Sequence, residues 1–290
     1  CVGRLETLVP RLAVFVRGAA LAAVAVAVLG LGAATHLRNR LYHDRWLLWS
    51  DVLEKSPAGP RGNSIVAVML ARQGRVEEAI VLARRAVARD PWGTTFHTLG
   101  AVLSTAGDHA GCERSCRAGL EALAATEAVG QQPEFNLQAG LAAALVEQGK
   151  LDEAADLIRQ RLPAMQAAVG ADHPIALSMT LAAVRLKLLQ RDVDGAMQDA
   201  RSLFETANRR LGGGHPVTLS AETMLAIALA ERGDDFAAER HLRHVLAMQT
   251  AGRGEDSGRR STAGLLADLL ESRGKIAEAR AVRAEAEPPP

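Results

Sequence analysis

Aromatic residues are scarce in this chain of 290 residues: three Trp, one Tyr and five Phe make up 3%. The hydrophobic share is nonetheless 48%, so the core has to be built from Ala, Leu and Val. That composition favours closely packed helices over a β-sandwich, whose strands draw on β-branched and aromatic side chains. Three cysteines are too few for a disulfide-rich scaffold. Charge of one sign is lacking too: 34 Lys and Arg against 33 Asp and Glu leave a net charge of +1. A dedicated nucleic-acid binder needs a basic surplus to neutralise phosphates, so no nucleic-acid partner is expected. The sequence carries neither a nucleophile elbow nor a zincin motif. Leu211-Gly212-Gly213-Gly214 lacks the Lys-Ser/Thr and the preceding strand of a phosphate loop, and reads as an interhelical loop. Gly30-Leu31-Gly32 fails the dinucleotide fingerprint for the same reason. The expectation is a non-enzyme with no cofactor, no metal and no small-molecule substrate.

What is present begins with an apolar run. Gly18 to Thr35 carries no charge, and Leu12 to Val16 extends it. Such a run is close to the minimum that crosses a hydrocarbon layer of ~30 Å. A single transmembrane helix is expected here, anchoring the chain to a membrane through residues 18–35. Residues 1–37 then form an N-terminal flank and span. A signal-type segment and a buried core helix are the alternatives. Arg4, Arg11 and Arg17 lie on one side, and Arg38, Arg40 and Arg45 on the other, so the positive-inside rule gives no orientation. The first residue is Cys rather than Met, which reads as a processed chain or a piece of a longer one. A lipoprotein reading of Cys1 would need an upstream leader. Tyr42, Trp46, Trp49 and Leu53 follow on one helical stripe. The stripe reads as a helix capping a repeat array rather than as an interfacial aromatic belt, and residues 38–59 are assigned to it.

The decisive signal is periodicity. ARQGRVEEA (71–79), VEQGKLDEA (146–154), AERGDDFAA (230–238) and ESRGKIAEA (271–279) share a Gly five residues before an Ala. Weaker copies are STAGDHAGC (104–112) and LLQRDVDGA (188–196). The six equivalent positions, Gly74, Gly107, Gly149, Arg191, Gly233 and Gly274, are 33, 42, 42, 42 and 41 apart. Repeats of this length mark stacked supersecondary units, here helix A, a turn and helix B. Four residues before the turn stand Leu70, Leu103, Leu145, Leu229 and Leu270, with Lys187 the exception. Four residues earlier stand Val66, Leu99, Leu141, Ala183, Leu225 and Leu266. That stripe is the buried face of helix A. Seven before and five after the turn are Ala67/Ala79, Gly100/Cys112, Ala142/Ala154, Val184/Ala196, Ala226/Ala238 and Ala267/Ala279. All but Val184 are Ala, Gly or Cys, which lets helices A and B approach at the low end of ~8–10 Å.

These residues make the chain resemble the tetratricopeptide repeat (TPR) family. The first unit fits over 60–93 with Val66, Ala67, Leu70, Gly74, Ala79, Ala83, Ala86 and Pro91, and Leu99-Gly100 restarts the pattern. Trp49, Val52 and Pro57 match the second half of a preceding unit. Later units resemble the longer variety of kinesin light chains, in which x-His-Pro precedes helix A: Asp172-His173-Pro174 and Gly214-His215-Pro216, with Gln132-Pro133 as an echo. The fourth unit departs at Ala183, Lys187 and Arg191, and its helix A uses Leu177, Leu181, Val184 and Leu188 instead. The expected fold class is all-α: a TPR helix-turn-helix solenoid, coiled as a right-handed superhelix and preceded by one transmembrane helix. About six units fill 60–285, and 286–290 form a disordered tail. The juncture at 38–63 resembles the end of membrane O-mannosyltransferase-like proteins with C-terminal TPRs, through Arg40, Trp46, Leu48, Trp49, Ser56 and Pro57. That resemblance implies a catalytic membrane part outside this chain and TPRs on the non-cytoplasmic side.

Side chains that suggest chemistry have plainer readings. Cys112 and Cys116 sit at small packing positions of the repeat. His241 and His244 read as a solvated helix face, since zinc needs three or four ligands. His173 and His215 cap or orient helix starts ahead of Pro. Thr250 to Thr262 is a polar, Gly-rich loop. What remains is a surface. In TPR arrays helix A lines the concave face, and counting into each unit places His97, Ser104, Ala143, Val146, Arg185, Thr223, Ile227, Asp268 and Glu271 on it. The set is mostly small and neutral and suits a protein or peptide segment. The functional expectation is a membrane-anchored scaffold for protein–protein interaction. The alternative is the C-terminal TPR domain of a membrane glycosyltransferase.

Overall fold

A computed structural model describes residues 19, 21–36, 39, 44–125, 132–251 and 256–286, and every regular element among them is helical. The chain divides into two units, Cys1–Lys55 and Ser56–Pro290. The first contains helix α1 over residues 21–36 and helix α2, Arg45–Lys55. Asp44 starts α2, its Oδ1 accepting from Trp46 N at 2.8 Å.

The expected membrane anchor is not found. Among the described residues no helix is long and apolar enough to cross a membrane. The described stretch of α1, residues 21–36, covers roughly 24 Å at 1.5 Å per residue, against a layer of ~30 Å. With the anchor falls the placement of this chain in a membrane with its repeats on the non-cytoplasmic side. The N-terminal flank before residue 19, Tyr42, residues 252–255 and the tail Glu287–Pro290 lie outside the described residues, and the described part of the loop expected over 250–262 is helical.

The second unit is six helical hairpins. They pair α3 (Pro60–Arg72) with α4 (Val76–Arg89), α5 (Gly93–Thr105) with α6 (His109–Ala124), and α7 (Gln132–Glu147) with α8 (Leu151–Val169). Then come α9 (Pro174–Leu189) with α10 (Val193–Leu211), α11 (Pro216–Glu231) with α12 (Asp235–Ala251), and α13 (Asp256–Ser272) with α14 (Ile276–Ala286). One turn repeats between the partners. At Gly149 (φ 73°) the chain enters the left-handed region, Gly149 N bonds Val146 O at 3.1 Å, and Lys150 N bonds Leu145 O at 3.0 Å. These two bonds satisfy carbonyls that a helix end leaves open. The Leu four before the turn is thus both a core side chain and the acceptor of the closing bond. The fourth unit keeps the same register: Arg191 takes φ 65°, and Asp192 N bonds Lys187 O at 2.9 Å. A side chain in the left-handed region costs about 1–2 kcal/mol. Lys187, off the apolar pattern, pairs with Asp199 at 2.6 Å instead of entering the core.

The small residues at the helix crossings are buried throughout. Ala67, Ala79, Ala142, Ala154, Val184, Ala196, Ala226, Ala238, Ala267 and Ala279 are all at 0% exposure. Cys112 and Cys116 are buried thiols set against Gly100 and Gly140. The hydrogen bond to Cys112, together with burial, pushes the Cys116 thiol up, so this sulfur stays protonated. Successive hairpins share core. Met179 and Leu186 of α9 join the cluster of α7 and α8, while Leu177 and Val184 join that of α10 and α11.

Two boundaries between hairpins also carry a charged latch. Glu113 on α6 receives Lys150 Nζ at 2.6 Å, Gln148 Nε2 at 2.7 Å and Arg117 Nε at 3.0 Å. Glu239 on α12 meets Arg243 at 2.6 Å, Lys275 at 3.2 Å, and Arg273. Lys150 above all, with Gln148 and Arg117 and against the opposing effect of burial, holds the Glu113 carboxyl down to about 2. At Glu239 burial pulls upward, but Lys275, Arg243 and Arg273 outweigh it and keep the carboxyl below its ordinary value. The residue after the turn has two uses. Lys150 and Lys275 reach back to the previous hairpin, whereas Asp108, Asp192 and Asp234 cap their own helix B through Gly111 N, Gly195 N and Ala237 N.

Two outcomes follow for stability. Arg191→Gly relieves the left-handed strain and should raise the denaturation midpoint by the equivalent of about 1 kcal/mol; an unchanged or lowered midpoint would contradict the turn assignment. Because the folded value of Glu113 lies below its unfolded value, its contribution is complete above pH ~4.5 and lost as pH falls toward ~2. Glu113→Gln should therefore destabilise by about 1–3 kcal/mol at pH 7 and by much less near pH 2.5, measured by thermal unfolding at both pH values.

Candidate functional site

Helices α7, α9, α11 and α13 are the A helices of four consecutive hairpins and present one common face. A cavity of about 250 Å³ opens on it, lined by residues of all four together with Gln249 of α12. Four of the nine residues expected in the groove meet there: Ala143, Val146, Arg185 and Thr223. Val146 is only 2% exposed, because it packs in the core while lining the cavity. Ile227 and Asp268 line a second cavity of about 470 Å³ between α11 and α13. His97, Ser104 and Glu271 line neither. His97 is partly buried, and this pushes its imidazole below the ordinary value. Asp268 and Glu271 are both engaged by Arg283 of α14, the former at 2.6 Å.

Sequence counting passed over Ser178, Ser220 and Ser261, which line the first cavity. They stand 42 and 41 residues apart, each thirteen before its turn residue, so the repeat places one hydroxyl on each of α9, α11 and α13 along the wall. The spacing was visible in the sequence; only the choice of counting positions missed it. Ser178 Oγ donates to Pro174 O at 2.9 Å, and Thr223 Oγ1 to Leu219 O at 2.9 Å, leaving their lone pairs as acceptors. Gln249 Oε1 is buried at the cavity without a hydrogen-bond partner. Arg185 bonds Glu147 Oε2 at 2.8 Å, so the charges in the cavity offset each other. The arrangement offers hydrogen bonds and apolar contact to a neutral segment and holds no paired nucleophile and base.

His244 is half exposed, as a solvated helix face requires, whereas His241 is largely covered. Both Nδ1 atoms converge on Glu222 of α11, at 3.0 and 2.9 Å, and Glu222 is 2% exposed. Glu222 interrupts the apolar face of α11 nineteen residues before His241, a tertiary pairing that local spacing cannot reveal. Among the described residues no group of three His, Cys, Asp or Glu is placed to hold a metal ion, so the cluster reads as a buried carboxylate satisfied by two imidazoles. His173 and His215 do cap helix starts: His173 Nδ1 accepts from Ile175 N at 3.3 Å, and His215 Nδ1 from Val217 N at 3.2 Å.

Six helix-turn-helix units stacked with their A helices on one face define an α-solenoid. Residues 137–175 match the family model described as tetratricopeptide repeat, and the fold is TPR-like. The structure is similar to BtubC (BKLC) from P. vanneervenii at 18% identity and TM-score 0.53, over 75% of this chain and 92% of that one. It is similar to a chain of the APC/C hetero-tetramer Cut9-Hcn1 at 13% identity and TM-score 0.64, over 87% and 44%. It is also similar to the human IFIT1 dimer with PPP-AAAA at 20% identity and TM-score 0.56, over 82% and 52%. No curated protein matches the sequence. The juncture at 38–63, read as resembling the end of membrane O-mannosyltransferase-like proteins, has no counterpart among these matches.

Proposed function

We propose that the second unit is a protein-interaction scaffold that holds a polypeptide segment against α7, α9, α11 and α13. The observation that carries this reading is the cavity itself, with one Ser from each of α9, α11 and α13, the unpartnered Gln249 Oε1 and the neutral Arg185–Glu147 pair. A neutral, hydroxyl-lined wall suits a peptide backbone, whose donors and acceptors alternate along the chain. The x-His-Pro starts of α9 and α11 and the 42-residue step support reading the third to fifth units as the kinesin-light-chain-like variety.

The reading is tested with the full chain and a displayed library of random twelve-residue peptides. Enriched peptides should lose at least tenfold in affinity on Ala143→Trp, which fills the cavity, and keep it on Arg114→Ala, which alters an exposed residue of α6. Peptides indifferent to Ala143→Trp would contradict the groove assignment. One structural neighbour is a complex with PPP-AAAA, so a 5′-triphosphorylated oligoadenylate belongs in the same assay. Its binding with groove-dependent affinity would overturn the peptide reading, whereas no binding is expected from a cavity that holds Glu147 beside its Arg.

A further inference from the structure

Helix α11 forms a wall of the cavity, and its first turn is closed by His215. The Nδ1 atom accepts from Val217 N at 3.2 Å, so the ring carries no proton on that nitrogen. Pro216 follows at the first helical position and supplies no amide of its own. The imidazole is thus the side-chain cap of this end, in the place where Ser, Thr, Asp or Asn usually stands. Those caps do not change charge near neutral pH, and an imidazole does.

We propose that His215 makes the start of α11 proton-sensitive: the neutral ring caps the helix, and the imidazolium releases it and loosens the turn leading to Ser220. Three effects act in the same direction. Protonation of Nδ1 turns the acceptor into a donor facing another N–H. It places a cation at the positive end of the helix dipole. It also sets that cation against the like charge of Arg72, whose field acts on the ring. The other groups around this corner do not compensate. Arg210 of α10 is engaged by Asp172 at 2.8 Å, Met248 of α12 beside Gly214 is uncharged, and among the described residues no carboxylate pairs with His215. Burial and then Arg72 hold the ring below its ordinary value. The folded value lies below the unfolded one, so the stabilisation is complete above the ordinary imidazole range and lost as pH falls through the lowered value. The consequence for the groove rests on the peptide reading above; the cap itself does not.

Amide exchange at Val217 in the full, ligand-free chain tests the cap independently of any binding partner. Between pH 7.5 and pH 5, after correction for intrinsic exchange, protection at Val217 should fall about fivefold, the fold-change expected for losing an N-cap. His215→Asn keeps a capping oxygen and cannot titrate, so the same interval should leave its protection unchanged. A fall of equal size in His215→Asn, or flat protection in the unaltered chain, would overturn the proposal.

Discussion

The structure depends on how closely helix A approaches helix B inside each hairpin. Wherever the two cross, the facing side chains are Ala, Gly or Cys, with Val184 the one larger exception, and they are buried. Small residues let backbones approach until dispersion contacts replace the missing aromatic bulk. A larger side chain at a crossing would splay the hairpin and displace the next one, because each hairpin packs only on its neighbours. The low aromatic content and the tight crossings are therefore one property seen twice. A core of Ala and Leu is dense only when its helices lie close together.

On that packing, polar devices set the order of the array. At five of the six turns the next residue has one of two uses: Asp108, Asp192 and Asp234 cap their own helix B, and Lys150 and Lys275 reach back to the previous hairpin. The latch at Glu113 ties the second hairpin to the third, and the latch at Glu239 ties the fifth to the sixth. Between them the joints combine shared apolar core, with α9 contributing one face to each of two clusters, and exposed ion pairs such as Arg185–Glu147 and Arg191–Glu231. The cavity lies along this stretch, so its shape follows from the stacking of A helices rather than from any single loop.

The periodic part of this architecture was legible in the sequence. The spacing of Gly74 through Gly274 and the small pairs around each turn located all six hairpins, and the repeat held even at Arg191, where the local pattern failed. That position was hard to read because a left-handed Arg is enforced by its neighbours' packing and not by its own preference. Four groove residues came together in the larger-scale counting scheme, while the Ser ladder went unread. Contacts between distant residues were not legible: Glu222 with His241 and His244, and Glu113 with Lys150, join side chains on different helices. The absence of charge over residues 18–35 suggested a span, but among the described residues no helix is long and apolar enough to make one.

The closest test of the whole account is the stability of two neighbouring substitutions on α7, measured by chemical denaturation of the full chain. Ala142 lies in the crossing with α8 at 0% exposure, and Ala143 faces the cavity. Overpacking a tight interior costs about 1–3 kcal/mol. Ala142→Leu should be destabilised by that amount, while Ala143→Leu should keep the unaltered midpoint. Equal midpoints for the two variants would contradict the claim that close helix crossings hold this solenoid together.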